Sequence, residues 1–167
     1  MSTKSFIINL PIITGDQDRR RLRKSFSFGC NLQNAVMGGG WDRVLQMRAT
    51  AEWQATRAMP KGRERTKAFR DLRVRFRLSE YDFHADVAKH RKASGRGHLL
   101  GINECQKLAS RAWISVERHL YNGGSPRFIS SRRGLHSIEG KTNRTGIIWK
   151  ADQQCVTVCK LSLIHIS

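Results

Sequence analysis

Acidic side chains are scarce in this chain. Thirteen Asp and Glu stand against 31 Lys and Arg, a formal net charge of +18 at pH 7 over 167 residues. That imbalance excludes a self-neutralising surface, because a compact domain this basic repels itself unless a polyanion covers it. Nucleic acid is therefore the expected partner. The excess is not confined to a tail: net charge is +4 over residues 1–28, +9 over 29–122 and +5 over 123–160. Arg outnumbers Lys, and the planar guanidinium fork grips phosphate in two-pronged fashion and stacks on bases.

Cysteine offers no metal pattern. Cys30, Cys105, Cys155 and Cys159 contain no C-x-x-C pair, and Cys155 with Cys159 has no matching His or Cys pair nearby, so the spacing argues against zinc. Long apolar runs are missing too. "FIINLPII" is too short to span a bilayer and is interrupted by Asn9 and Pro11. The cluster "DRRRLRK" follows it, where a signal peptide would carry small residues and a cleavage site. A cytoplasmic protein with no membrane partner is expected.

Catalytic constellations are missing as well: there is no P-loop, no G-x-S-x-G, no H-E-x-x-H and no paired metal-ligating carboxylates. Glu80, Asp82 and Asp86 fit the dipole of a helix N-terminus better than a metal site. His84, His90, His98, His119 and His136 are scattered without ligand spacing. The chain as it stands reads as a binder and not an enzyme, with no cofactor and no small-molecule substrate.

What is present reads as strand, then helices, then strands. Residues 4–13, "KSFIINLPII", are β-rich and apolar, consistent with a strand broken or ended at Pro11; a turn then leads into a basic segment. The stretch from "FSFGC" to Met59 is helical by pattern, with a break expected at Gly38–Gly40, and "PKG" at 60–62 ends it. Phe69, Leu72 and Phe76 form an apolar stripe, and Arg70, Arg73 and Arg77 repeat the spacing on a neighbouring face. That Arg row is a candidate phosphate contact, or a solvated polar face. "LSEYDF" predicts a helix capped by Ser79, with Leu78 and Phe83 at staple spacing and a stop at "ASGRG". "INECQ" suggests a second cap at Asn103, ahead of an apolar face of Leu108, Ala109, Ala112, Trp113, Val116 and Leu120. After Gly124 the chain is rich in Ser, Gly, Thr and β-branched residues, with strands predicted at "GIIW" and "CVTVCKL". The economical layout is α+β, a helical block inserted into a small β module.

Four stretches, in order, resemble the transposon-encoded TnpB proteins, relatives of the type V CRISPR effectors: "FGCNLQNAV", "AMPKGRERTKAFRDLRVRFRLSEYDFH", "QKLASRAWISVERHLYNGGSPRF" and "HSIEGKTNRTGIIWK". The likeness spans roughly residues 20–150. It implies a prokaryotic, nucleoid-associated protein in which a helical recognition domain splits an incomplete β-barrel-like wedge module. The implied divisions are 1–28 for the first wedge strand and basic segment, 29–122 for the recognition domain and 123–160 for the returning wedge strands. The implied partners are guide RNA and target DNA. By this resemblance Asn31 and Asn34 match an early helical pattern, and Pro126, Arg127 and Phe128 match the turn back to the wedge. Arg132, Arg133, Lys141, Asn143 and Arg144 would face nucleic acid.

The chain departs from that family where a RuvC-like nuclease should follow. Its Asp, Glu and Asp ligands for divalent metal ions are missing, as is a Cys-rich zinc module, so cleavage is not expected. "LSLIHIS" resembles the translated end of a sequencing adaptor, so residues 161–167 are expected to be a non-native tail on a truncated reading frame. A genuine apolar strand is the other reading. The competing function is a complete small basic DNA- or RNA-binding protein, a regulator or a ribonucleoprotein component.

Overall fold

The structure, a computed structural model, describes residues 14–141, 147–150, 152, 155–158 and 161–165. The strand expected at 4–13, and Asn143 and Arg144, lie outside the described residues. The chain is mixed α and β and mostly helical.

Helix α1 runs unbroken from Asp16 to Arg48. Asp16 and Asp18 sit in its first turn and Arg48 in its last, each sign matching the helix dipole at that end. Phe28, Leu32, Val36, Gly40, Val44 and Met47 are all buried and recur at helical spacing. The break expected at Gly38–Gly40 does not occur. A Cβ on Gly40 would overlap the ring of Phe83, so the glycine there is a seat for an aromatic side chain and not a point of flexibility. Gly29 plays a similar part: a Cβ there would crowd Leu135, Leu100 and Leu108 at 3.1–3.2 Å.

The chain turns at Thr50, whose hydroxyl accepts from the backbone N–H of Trp53 and starts α2, Ala51–Ala58. Helix α3, Arg63–Arg75, packs against α2. It ends in a Schellman turn: Leu78 N–H donates to Arg73 C=O and Arg77 N–H to Val74 C=O. Arg77 occupies the left-handed position, φ 52°, where glycine is usual. Helix α4, Glu80–Ala93, begins as expected, with Ser79 accepting from the N–H of Asp82. Leu78 and Phe83 are both fully buried. Helix α5, Ile102–Glu117, starts two residues before the expected cap, on Gly101 and not Asn103, with no side-chain cap.

Helices α1, α4 and α5 pack together around one core. The apolar face expected on α5 is confirmed: Leu108, Ala109, Ala112, Val116 and Leu120 are fully buried, and Trp113 lies edge-on to Phe83 at 5.3 Å.

Residues 123–141 contain no strand. They were expected to open the returning β segments, but their backbone is tied to helices instead. The side-chain amide of Asn34 donates to Ile129 C=O (2.8 Å) and accepts from Ile129 N–H (2.9 Å), doing for one residue what a neighbouring strand would do. Arg111 holds Ser137 C=O and the Glu139 carboxylate. Strands β1 (Ile147–Lys150), β2 (Cys155–Val158) and β3 (Leu161–His165) then form an open antiparallel meander in the order 1-2-3. Ile148 pairs with Thr157 and Val156 with Leu163, with an irregularity at Cys155/Val156.

This sheet is not a closed barrel. Three strands this short cannot wrap around an interior, which takes about eight in the smallest filled barrels. Leu161–His165, expected to be part of a non-native tail, pairs with β2 as β3. Such pairing uses backbone groups that any sequence carries.

Candidate nucleic-acid interface

The exposed face of the N-terminal half of α1 carries Arg23, Lys24, Ser27 and Asn31. Their spacing of three to four residues puts them on one side of the helix. Two irregular segments lie against that side. Arg96 and His98, just after α4, close a groove with Arg23, Lys24 and Ser27. Ser131, Gly134 and Leu135 close the next one with Arg23, Ser27 and Asn31. Gly134 also belongs to a third concavity, with Arg127, Arg132, Arg133 and His136.

The three concavities share residues and so form a continuous belt. No Asp or Glu lines any of them. Six Lys and Arg do: Arg23, Lys24, Arg96, Arg127, Arg132 and Arg133, all exposed. Among the described residues none of the six pairs with a carboxylate. Cations left uncompensated in this way keep their full charge for a polyanion.

The turn that presents two of them is built locally. The N–H groups of Arg133 and Gly134 both donate to Ser130 C=O, and Arg132 N–H donates to the Ser130 hydroxyl. Gly134 closes the turn at φ 69°, a backbone conformation that glycine adopts freely. Arg132 and Arg133 project from this tight loop into solvent. Phe128, half exposed, lies beside Gly38 of α1, and Pro126 is buried.

The expected site residues thus divide. Asn31, Arg127, Arg132 and Arg133 come together on the belt. Asn34 is taken up with holding Ile129. Lys141 donates to the side chain of Gln106 at 2.7 Å. The Arg row of α3 is split by its partners. Arg73 meets Glu117 at 3.6 Å, donates to Leu78 C=O and lies over the Trp113 ring. Arg77 meets Asp82 and Asp86. Only Arg70 stays outward, with exposed Asp71 at 3.8 Å.

Arg23, Lys24, Arg96 and His98 were not among the expected site residues. "ASGRG" reads in sequence as a helix stop, and the chain after Pro11 reads as a turn leading into a basic segment, not as a long helix. Only the length of α1 and the way the chain folds back after α4 bring them together.

Several acidic side chains are engaged elsewhere. Asp86 sits between Arg43 (2.8 Å) and Arg77 (3.2 Å), and Glu80 accepts from Ser110. Arg111 holds the Glu139 carboxyl below its usual range. Burial pushes the His84 imidazole below its ordinary value, against the pull of Glu80, and pushes the Cys30 thiol up. Among the described residues, no three His, Cys, Asp or Glu side chains gather as metal ligands would. Nor is any described helix long and apolar enough to cross a membrane.

No family model, no curated protein and no solved structure matches the chain.

Proposed function

We propose that this chain is a nucleic-acid-binding protein whose acid-free belt follows the phosphate backbone of an RNA. The observation that carries the reading is the belt itself. Six unpaired Lys and Arg from α1, the segment after α4 and the 127–136 loop line concavities that share residues. Phosphate contacts of this kind supply affinity and register, not sequence reading.

The resemblance to TnpB proteins supplies the finer proposal. The RNA is a guide RNA, target DNA lies beside it, and the chain is a binding part of an RNA-guided endonuclease acting at a prokaryotic nucleoid. In this proposal the chain itself binds and does not cut, and needs no cofactor.

The test is binding of the purified chain to a structured RNA and to a duplex DNA of equal length, with and without the triple substitution Arg127→Ala, Arg132→Ala and Arg133→Ala. Preference for RNA, lost in the triple variant while the unfolding temperature holds, is the expected result. Tight sequence-specific duplex binding without RNA would replace this reading with that of a small DNA-binding regulator. Metal-dependent nicking by the purified chain would contradict the non-cutting proposal.

A further inference from the structure

A further concavity lies away from the residues of the belt, between α2, α3 and the segment just after α5. Its volume is about 560 Å³, within the range of small-ligand sites. Its floor is aromatic. Trp53 and Tyr121 are nearly parallel, 11° apart with centroids at 6.1 Å, and Phe69 stands edge-on to both at 5.2 and 5.1 Å. Trp53 is buried, whereas Tyr121 is 45% exposed. The stack therefore ends in an open aromatic surface.

The rim is arginine. Arg57, Arg65, Arg70 and Arg73 line it, and no Asp or Glu does. The Arg65 guanidinium lies 5.4 Å from the Phe69 ring centre, and its buried Nε has no hydrogen-bond partner among the described residues. Arg57 has no carboxylate partner among the described residues, and its charge helps to lower the pKa of Arg48, after burial. Thr66 and Arg70 are shared with an adjoining groove that adds Arg63 and Lys67, so the cationic track continues past the aromatic floor.

We propose that this concavity takes one unpaired nucleotide of a single-stranded nucleic acid. Its base would extend the Trp53–Tyr121 stack, and its phosphates would lie on Arg57, Arg65 and Arg70. A flat aromatic surface framed by cations suits a planar base joined to an anionic backbone. An acidic peptide would use the rim and leave the floor idle. The track through Arg63 and Lys67 favours a strand over an isolated nucleotide. This inference rests on the nucleic-acid reading above but uses none of the belt's residues.

The test uses the full chain and three probes: a short single-stranded oligoribonucleotide, the same strand annealed to its complement, and an abasic strand with the same phosphates. Tyr121→Ala should weaken binding of the first roughly 5- to 150-fold, the span expected for one stacked base, and leave the abasic strand unaffected. Tyr121→Phe should restore binding, because it keeps the ring. Arg57→Gln, at an exposed position, should weaken binding of both strands. Equal affinity of wild type and Tyr121→Ala for the intact single strand overturns the proposal and leaves the belt standing. Failure of the wild-type chain to bind any of the three probes overturns both.

Discussion

Gly39 and Gly40 are neighbours in one helix, and their surroundings give them opposite expectations. A Cβ on Gly39 meets nothing within 4 Å, whereas one on Gly40 overlaps Phe83. Gly39→Ala should raise stability by about 0.5–1 kcal/mol, the helix preference for Ala. Gly40→Ala should lower it by about 1–3 kcal/mol through overpacking. Thermal unfolding of the two variants decides this, and shifts of the same sign would refute the account of α1. Arg77 offers a second contrast. In its left-handed position a side chain costs roughly 1–2 kcal/mol, set against ion pairs with Asp82 and Asp86. Arg77→Ala loses the pairs and keeps the strain, so it should unfold at a lower temperature than Arg77→Gly, which loses both. His84 supplies a pH dependence. Its folded pKa lies below the unfolded one, mainly through burial and despite Glu80, with Lys141 adding to the shift. Protons therefore bind the unfolded chain better, and stability is lost as pH falls below the unfolded value of about 6.5 and through the lower folded one. His84→Gln should flatten the fall in unfolding temperature over that window.

At the scale of elements, the sequence was most readable where the signal is local. Ser79, Leu78 and Phe83 define the start of α4 from neighbouring residues alone, and the structure places them as expected. The glycine triplet of α1 misled because a helical glycine looks the same in sequence whether it marks a break or a seat; Phe83, which decides, is 43 residues beyond Gly40 in the chain. The α3 arginines were legible as a stripe. Their division was not, because Glu117 arrives on α5 and Asp82 and Asp86 on α4. Asn34 is the same kind of case: its partner, Ile129, is 95 positions away. Removing that clamp with Asn34→Ala should cost about 1–3 kcal/mol for two hydrogen bonds. Hydrogen exchange should then speed up at the Ile129 amide while the α5 core amides keep their protection. Unchanged exchange at Ile129 would show that something else fixes the loop.

For the whole molecule, composition alone pointed to a polyanion, and the fold adds where the charge is free. Carboxylates neutralise cations on α1, α3 and α5. The belt has none, and half of its cations come from one loop, at Arg127, Arg132 and Arg133. That separation could not be read from residue counts, since the belt's six cations span residues 23–133 and meet only through the fold. The most direct measurement is the salt dependence of single-stranded RNA binding, for wild type and for the Arg127/Arg132/Arg133→Ala variant. If all six belt cations contact phosphate, they should contribute about −4 to the slope of log affinity against log salt, a roughly 300-fold loss for a fourfold rise in salt, with phosphates held at Arg57, Arg65 and Arg70 adding to it. The triple variant should have a slope shallower by about 2, so that roughly 20-fold of the salt-dependent loss disappears over the same range. Identical slopes for the two proteins would contradict the belt as the binding surface, however tightly the RNA is held.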